Sequence, residues 1–92
     1  MRYVWDPAKD LLNQSKHGLS LADGILALED PDRESLIDDR FDYGEERIVT
    51  LGMGMKQVLY VVSTELDEDS IRIISVRKAD DDEIERYGFG LS

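Results

Sequence analysis

The sequence predicts an α+β fold: helices packed on an antiparallel β-sheet, in the order β-α-α-β-β-β-β-α. Helical segments with capping residues lie near both ends of the chain, and apolar, β-branched runs separated by short turns lie between them. Strands joined by short turns pair antiparallel, which favours one such sheet, and we expect the helices to lie on one of its faces. At 92 residues, we expect a single domain over 1–92.

The first elements are a strand and a capped helix. Tyr3–Trp5 is aromatic and β-branched, which is typical of a strand. Asp6 can cap the following helix, which is predicted over residues 8–16, and Pro7 fits its first position. Gly18 can adopt the left-handed conformation that ends a helix.

A second helix follows after a very short link. Ser20 is predicted to begin it, with Asp23 completing a capping box, and the run Asp30-Pro31-Asp32 ends it. In the first helix, Leu11 and Leu12 form the apolar side, and the sequence leaves open which face of this helix meets the sheet.

The rest of the chain is mainly β. Gln57–Thr64 is almost wholly apolar and is therefore placed centrally, whereas Ser35–Asp38 is placed at an edge. Turns are expected at Asp42–Gly44 and Gly52–Gly54, and an acidic loop at Glu65–Ser70. The remaining predicted elements are strands at Arg47–Leu51 and Ile71–Arg77 and a final helix over residues 80–87.

The composition excludes several kinds of site. The formal net charge is −10, which disfavours nonspecific binding to nucleic acid or anionic membranes. The absence of cysteine excludes disulfides, thiolate metal sites and a cysteine nucleophile, and a single histidine excludes a multi-histidine metal site. We expect a soluble cytoplasmic protein, because no apolar stretch approaches the length of a membrane span. No metal or other cofactor is expected; a site made of carboxylates alone stays open, but acidic residues this common are only weak evidence for it.

One cluster of polar residues belongs to the first helix. Lys9, Asn13 and Lys16 are spaced by four and three residues, so they share a helical face, and His17 follows at once. Such a face could receive a phosphodiester. A solvated face with cations near the helix C-terminus explains the pattern as well, and spacing alone favours this second interpretation.

A second cluster lies on the last strand. Arg72, Arg77 and Lys78 could bind phosphate, because arginine forms a bidentate clamp on phosphate oxygens. The alternative is structural: Arg77 and Lys78 would pair with Glu83 or Glu85, and Arg72 with an acidic residue on a neighbouring strand. The composition favours the ion pairs, since acidic partners are abundant.

Several segments together resemble the BrnT toxin family. The resemblance spans nearly the whole chain in the right order, and its most specific parts are the Lys16-His17-Gly18 segment and the strand that leads to Arg77-Lys78-Ala79. The segments that carry it are residues 5–9, Asn13, residues 16–21, residues 42–47, Gly52, residues 71–79, Glu83 and Tyr87.

This resemblance implies a bacterial toxin with a fold similar to RelE ribonucleases, which cleaves RNA and arrests translation. It also implies a BrnA-like antitoxin partner with a ribbon-helix-helix DNA-binding domain, and a complex that represses its own operon and meets operator DNA only through the antitoxin. The sequence departs from the family pattern at Asp80–Glu83, where four carboxylates stand in place of a basic helix start.

Two functions remain open. A metal-independent endoribonuclease needs proton transfer and cations, and the residues predicted to supply them are His17, Arg77 and Lys16. The residues predicted to bind RNA phosphate or orient a nucleotide are Lys9, Asn13, Arg72, Ser75, Lys78 and Tyr87. The alternative is a non-catalytic interaction module that binds a ribbon-helix-helix antitoxin and modulates its DNA binding. Unpaired Lys16, His17 and Arg77 in one cleft would favour the enzyme, and Arg77 and Lys78 fully paired with carboxylates would favour the module.

Overall fold

The computed structural model describes residues 1–40 and 44–89. Its α+β architecture and its order of strands and helices confirm the predicted fold class. The strands are β1 (Arg2–Val4), β2 (Glu34–Asp38), β3 (Arg47–Gly54), β4 (Gln57–Asp67) and β5 (Ser70–Lys78). The helices are α1 (Pro7–His17), α2 (Gly24–Leu28) and α3 (Asp81–Phe89), with a 3₁₀ turn (Leu21–Asp23) before α2. Within these described ranges, no helix has the length and apolar character that a bilayer crossing requires.

The five strands form one sheet in the order β1-β5-β4-β3-β2. The predicted positions of β4 at the centre and β2 at an edge are confirmed. Strands β2 to β5 pair antiparallel with their neighbours, whereas β1 pairs parallel with the start of β5, from Arg2 opposite Ser70 to Val4 opposite Arg72. The purely antiparallel pairing that short turns predict therefore fails at β1, which is separated from β5 by most of the chain.

Helices pack on both faces of the sheet, so the expectation that they share one face is wrong. On one face, α2 and the 3₁₀ turn cover a core of buried apolar side chains. On the other face, Tyr87 of α3 packs against Leu51 and Val58. The core of the first face consists of Leu19, Leu21, Ala27, Leu59, Val61, Ile73 and Val76. We call the second face, which carries Tyr60 opposite Arg77 and Val62 opposite Ser75, the α3 face.

The predicted turn at Gly52–Gly54 is wrong for a packing reason. Strand β3 continues through Gly54, and the turn is made by Met55 and Lys56, which have φ values of 54° and 66°. Gly52 serves a different purpose, because a Cβ at this position would overlap the backbone carbonyl of Ala27. The glycine lets α2 lie directly on the backbone of the strand.

The predicted limits of α1 are confirmed by its caps. The Asp6 side chain accepts a hydrogen bond from the Ala8 amide at 2.9 Å, and Gly18 ends the helix with φ of 71°. Leu11 and Leu12, the apolar side of this helix in the sequence, are 67% and 68% exposed. The reason is that α1 lies against β5 beyond the end of β1, where the strand presents backbone polar groups as well as apolar side chains.

The second predicted helix is divided into the 3₁₀ turn and α2. Its start is stabilised as predicted, because the Asp23 carboxylate accepts a hydrogen bond from the Ser20 amide at 2.9 Å. Helix α2 ends at Leu28, just before the predicted stop. Of the turn predicted at 42–44, only Gly44 is among the described residues, and its φ is 73°.

Candidate functional site

Asn13 joins α1 to the edge of β5. Its amide nitrogen donates hydrogen bonds to the carbonyls of Leu19 and Val76 at 2.7 and 2.8 Å, and its amide oxygen accepts from the Val76 amide at 3.0 Å. The side chain is 5% exposed. Asn13 therefore pairs with Val76 as a neighbouring strand would. Both amide hydrogens are engaged within the chain, which leaves no donor for the RNA contact predicted from sequence.

A groove lies beside Asn13, between α1 and β5. Its cavity has a volume of about 210 Å³ and is lined by Lys9, Leu12, Asn13, Lys16, His17, Ile74 and Ser75. We call it the α1 groove. A second cavity of about 190 Å³ shares Lys9 and Ile74 with it and is also lined by Arg72. Among the described residues, the side chains of Lys9, Lys16 and His17 form no hydrogen bond or ion pair.

An irregularity in β5 shapes the floor of the α1 groove. Val62 pairs with Ser75 and Ser63 pairs with Ile73, so Ile74 is an extra residue without a partner on β4. Such a bulge re-aims the side chains around it. Ile74 and the adjacent Ser75 consequently both line the groove, together with Lys16 and His17.

Arg77 lies outside the α1 groove. Its guanidinium forms a bidentate pair with Glu83, with Nη1–Oε1 and Nη2–Oε2 distances of 2.8 and 2.9 Å, and stacks 3.7 Å from the centre of the Tyr60 ring. Their mutual hydrogen bonds raise the pKa of Arg77 and lower the pKa of Glu83. Ser75 links the α1 groove to Arg77. It lines the groove and lies two residues before Arg77 on the same strand face, about 6.6 Å away at the strand rise.

The other predicted binding residues have different surroundings. Arg72 pairs with Glu45 at 2.7 Å, and Lys78 is exposed. Tyr87 is buried, and its hydroxyl donates a hydrogen bond to Asp30, which raises the pKa of Tyr87 to about 12. Tyr87 therefore fastens α3 to the sheet, and its hydroxyl is already engaged within the chain.

The two kinds of cation differ in their pairing. Between described residues, ion pairs join several arginines to carboxylates: Arg40–Asp38, Arg47–Glu45, Arg72–Glu45, Arg77–Glu83 and Arg86–Glu34. The lysines and histidine of the α1 groove have no such partner among the described residues. Within residues 1–40 and 44–89, no three His, Asp or Glu side chains are placed to share a metal ion.

Tyr60 and Glu45 are contacts of the predicted arginines that the sequence analysis did not identify. Tyr60 meets Arg77 because the two are paired across β4 and β5. Identifying this contact from sequence would have required the strand register. The Arg77–Glu83 pair, in contrast, was foreseen as the structural alternative, since the two residues are close in sequence.

The fold and the α1 groove define a small α+β protein in which a surface groove gathers cations that pair with no described residue. A family model described as "Ribonuclease toxin, BrnT, of type II toxin-antitoxin system" matches residues 5–83. The chain therefore belongs to the BrnT family of ribonuclease toxins, as its sequence motifs indicated. Membership implies an RNA substrate and an antitoxin partner.

A solved structure supports the fold. The 1.1 Å crystal structure of the Brucella abortus ribonuclease toxin BrnT is similar to this chain, with a TM-score of 0.64 and 23% sequence identity. The similarity covers 87% of this chain and 97% of that chain. Comparison with curated proteins gave no match. At this identity the likeness concerns the fold, so the roles of individual residues must be argued from their geometry.

Proposed function

We propose that the chain is a metal-independent endoribonuclease that binds RNA phosphate in the α1 groove and arrests translation. The observation that carries this proposal is the meeting of Lys9, Lys16 and His17 in one cavity without acidic partners among the described residues. In a chain of net charge −10, unpaired cations that converge beside a strand form a local site for an anion.

The chemistry needs few groups. A base takes the proton of the 2′-hydroxyl, cations stabilise the charge that develops on the phosphorane, and an acid protonates the leaving 5′-oxygen. We assign proton transfer to His17 and charge stabilisation to Lys16, whereas Arg77, which lies outside the α1 groove, binds a neighbouring phosphate. The flanking phosphates are bound by Lys9 in the groove and by three residues of β5, which are Arg72, Ser75 and Lys78. Asn13 and Tyr87 hold the elements that carry these residues.

We further propose that the antitoxin is a BrnA-like ribbon-helix-helix protein and that the complex acts as co-repressor in the cytoplasm. Family membership implies an antitoxin, and the strong acidity of this chain suits a basic, DNA-binding partner.

The second candidate is the non-catalytic module that binds the antitoxin. It is favoured by one observation, the bidentate pairing of Arg77 with Glu83, which offsets the positive charge of a predicted catalytic residue. The module also requires Lys78 to be paired, but Lys78 has no ion pair with a described residue. The cations of the α1 groove have no such partner either.

Cleavage of a defined single-stranded RNA in EDTA separates the two candidates. We expect the parent chain to cleave, and His17→Ala to lose at least a hundredfold in rate, since general acid–base catalysis contributes about 10²–10⁴-fold. Ser15→Ala is the matched control, because Ser15 is an exposed residue of the same helix. Cell-free protein synthesis, followed with RNA integrity, should arrest with the parent and continue with the folded His17→Ala protein.

Two results would contradict the proposal. Parent-like cleavage by folded His17→Ala would remove His17 from the reaction. A well-folded parent that leaves RNA intact, alone and in the translation extract, would favour the non-catalytic module.

A further inference from the structure

The guanidinium of Arg77 keeps two donors free despite its ion pair. Arginine has five N–H hydrogens. Nη1 donates to the Glu83 carboxylate and to the Lys78 carbonyl, at 2.8 and 3.1 Å, and Nη2 donates once to Glu83 at 2.9 Å. No other hydrogen bond of Arg77 to a described residue is present. The hydrogen on Nε and the second hydrogen on Nη2 therefore remain unused.

These two hydrogens lie along one edge of the guanidinium plane. Parallel N–H donors on such an edge match the spacing of two phosphate oxygens and bind them in a bidentate manner. The plane is supported from below, because its central carbon lies 3.7 Å from the centre of the Tyr60 ring. The Arg77 side chain is 33% exposed, so the group is within reach of solvent and of a ligand.

Glu83 is itself held in place by the start of α3. Its carboxylate accepts a hydrogen bond from the Asp80 amide at 2.9 Å, and the Asp80 carboxylate accepts one from the Glu83 amide at the same distance. This reciprocal pairing is a capping box. The Glu83 side chain is only 14% exposed. A fixed carboxylate on a capped helix therefore determines the orientation of Arg77.

We propose that Glu83 is a positioning residue of the RNA site, which holds Arg77 so that its free Nε–Nη2 edge binds one RNA phosphate. This inference rests on the proposed ribonuclease function and adds a second phosphate position to it. Ser75 lines the α1 groove and lies two residues before Arg77 on the same strand face, so the two positions receive neighbouring phosphates of one strand.

Charge and positioning predict opposite results for loss of Glu83. On charge alone, removing a carboxylate from an acidic protein strengthens its attraction to RNA. If Glu83 positions Arg77, its removal weakens RNA binding, because the freed guanidinium must be ordered again when phosphate binds. The sign of the change in affinity therefore distinguishes a positioning residue from an inhibitory one.

The test measures the dissociation constant of the full chain for a 2′-O-methyl RNA oligonucleotide, which binds without being cleaved. We expect Glu83→Ala to raise the dissociation constant about tenfold, the value of one charge-assisted hydrogen bond. Glu85→Ala is the matched control, since it removes the same charge from an exposed position of the same helix. It should leave the affinity unchanged or slightly tighter.

A double-mutant cycle excludes a merely structural effect. Arg77→Lys keeps the positive charge but removes the two-donor edge, and it should weaken binding as much as Glu83→Ala. The double variant should be no weaker than either single variant. Glu83→Gln keeps an acceptor for the helix cap, so its affinity should lie between that of Glu83→Ala and that of the parent. Circular dichroism should show that all variants are folded.

The outcomes separate the two proposals. Unchanged or tighter binding by folded Glu83→Ala, or additive losses in the cycle, would overturn the positioning role. A parent chain that does not bind the oligonucleotide would overturn it as well. A parent that binds the oligonucleotide through Glu83 and Arg77 but never cleaves RNA would overturn the ribonuclease proposal and leave the phosphate position standing.

Discussion

The α1 groove and the α3 face carry positive charge in two different ways. In the groove, Lys9, Lys16 and His17 have no acidic partner among the described residues. On the α3 face, Arg77 is fixed by Glu83 and stacked on Tyr60. The groove thus offers uncompensated charge on flexible side chains, whereas the face offers a fixed arrangement of donors with little net charge. We infer that the first attracts RNA and the second fixes its position.

Asn13→Ala should have the largest effect on the fold, because the groove depends on this residue as a scaffold. The substitution leaves the backbone groups of Val76 and the carbonyl of Leu19 without partners in a buried place. We expect the free energy of unfolding to fall by about 3 kcal/mol, since each unsatisfied buried group costs about 1–3 kcal/mol. Urea denaturation measures this change.

Gln14→Ala is the control for this prediction. Among the described residues, its exposed side chain makes a hydrogen bond to Asp10 alone, so its loss should cost less than about 0.5 kcal/mol. Equal stabilities for the two variants would show that Asn13 does not hold α1 to β5.

The double variant Lys9→Ala, Lys16→Ala should have an intermediate effect, on RNA affinity rather than on stability. We expect the affinity to fall about tenfold near physiological salt. The slope of log affinity against log salt should decrease by about 1.4, since each lost phosphate contact on a single strand removes about 0.7. Fluorescence anisotropy with a labelled RNA at several salt concentrations measures both quantities.

A charge-matched pair tests whether position matters. Arg33→Ala, Lys56→Ala removes the same charge from exposed places outside the groove. If this pair lowers the affinity and the salt slope as much as the lysine pair does, the groove is not the binding site and the contrast with the α3 face is lost.

Tyr87→Phe should have the smallest effect and concerns the anchoring of α3. The hydrogen bond to Asp30 raises the pKa of Tyr87 to about 12. Because the folded state favours the protonated phenol, this stabilisation is present below pH 10 and is lost as the pH rises from 10 towards 12. The variant should be about 1 kcal/mol less stable at pH 7.

Thermal unfolding between pH 7 and 12 tests this prediction. The difference in stability between parent and Tyr87→Phe should shrink above pH 10. The same bond lowers the pKa of Asp30, although partial burial opposes it, so the parent should also lose stability as the pH falls through the range in which that carboxyl becomes protonated. A difference that stays constant up to pH 12 would contradict the assigned bond.

The sequence predicted features that depend on nearby residues. The limits of α1 follow from Asp6, Pro7 and Gly18, which act within a few residues of the helix ends. The pairing of β1 with β5 and the contact of Gly52 with Ala27 join residues far apart in the chain. Local patterns therefore assigned β1 the wrong strand orientation and Gly52 the wrong role.

In the candidate site, too, the sequence predicted what depends on nearby residues and missed what depends on distant ones. The helical spacing correctly placed Lys9, Asn13 and Lys16 together, but it could not tell which of them would meet the strand. Asn13 was predicted to bind RNA. In the sequence, an amide on a cationic helix face looks the same whether it binds a ligand or a backbone group of its own chain. Arg77 was expected beside His17, and only the strand register shows that it stacks on Tyr60 instead.

The two outer edges of the sheet differ, and this difference has a consequence for self-association. On one side, the sheet ends in the three-residue strand β1. Beyond β1, the edge of β5 lies against α1, and Asn13 of α1 bonds the backbone of Val76. On the other side, β2 is an outer strand with exposed Leu36 and Ile37. Growth of a fibril by strand addition requires two receptive edges on every copy. Here the β1 side offers only three residues for pairing, so two copies joined along β2 would leave little strand for a third copy.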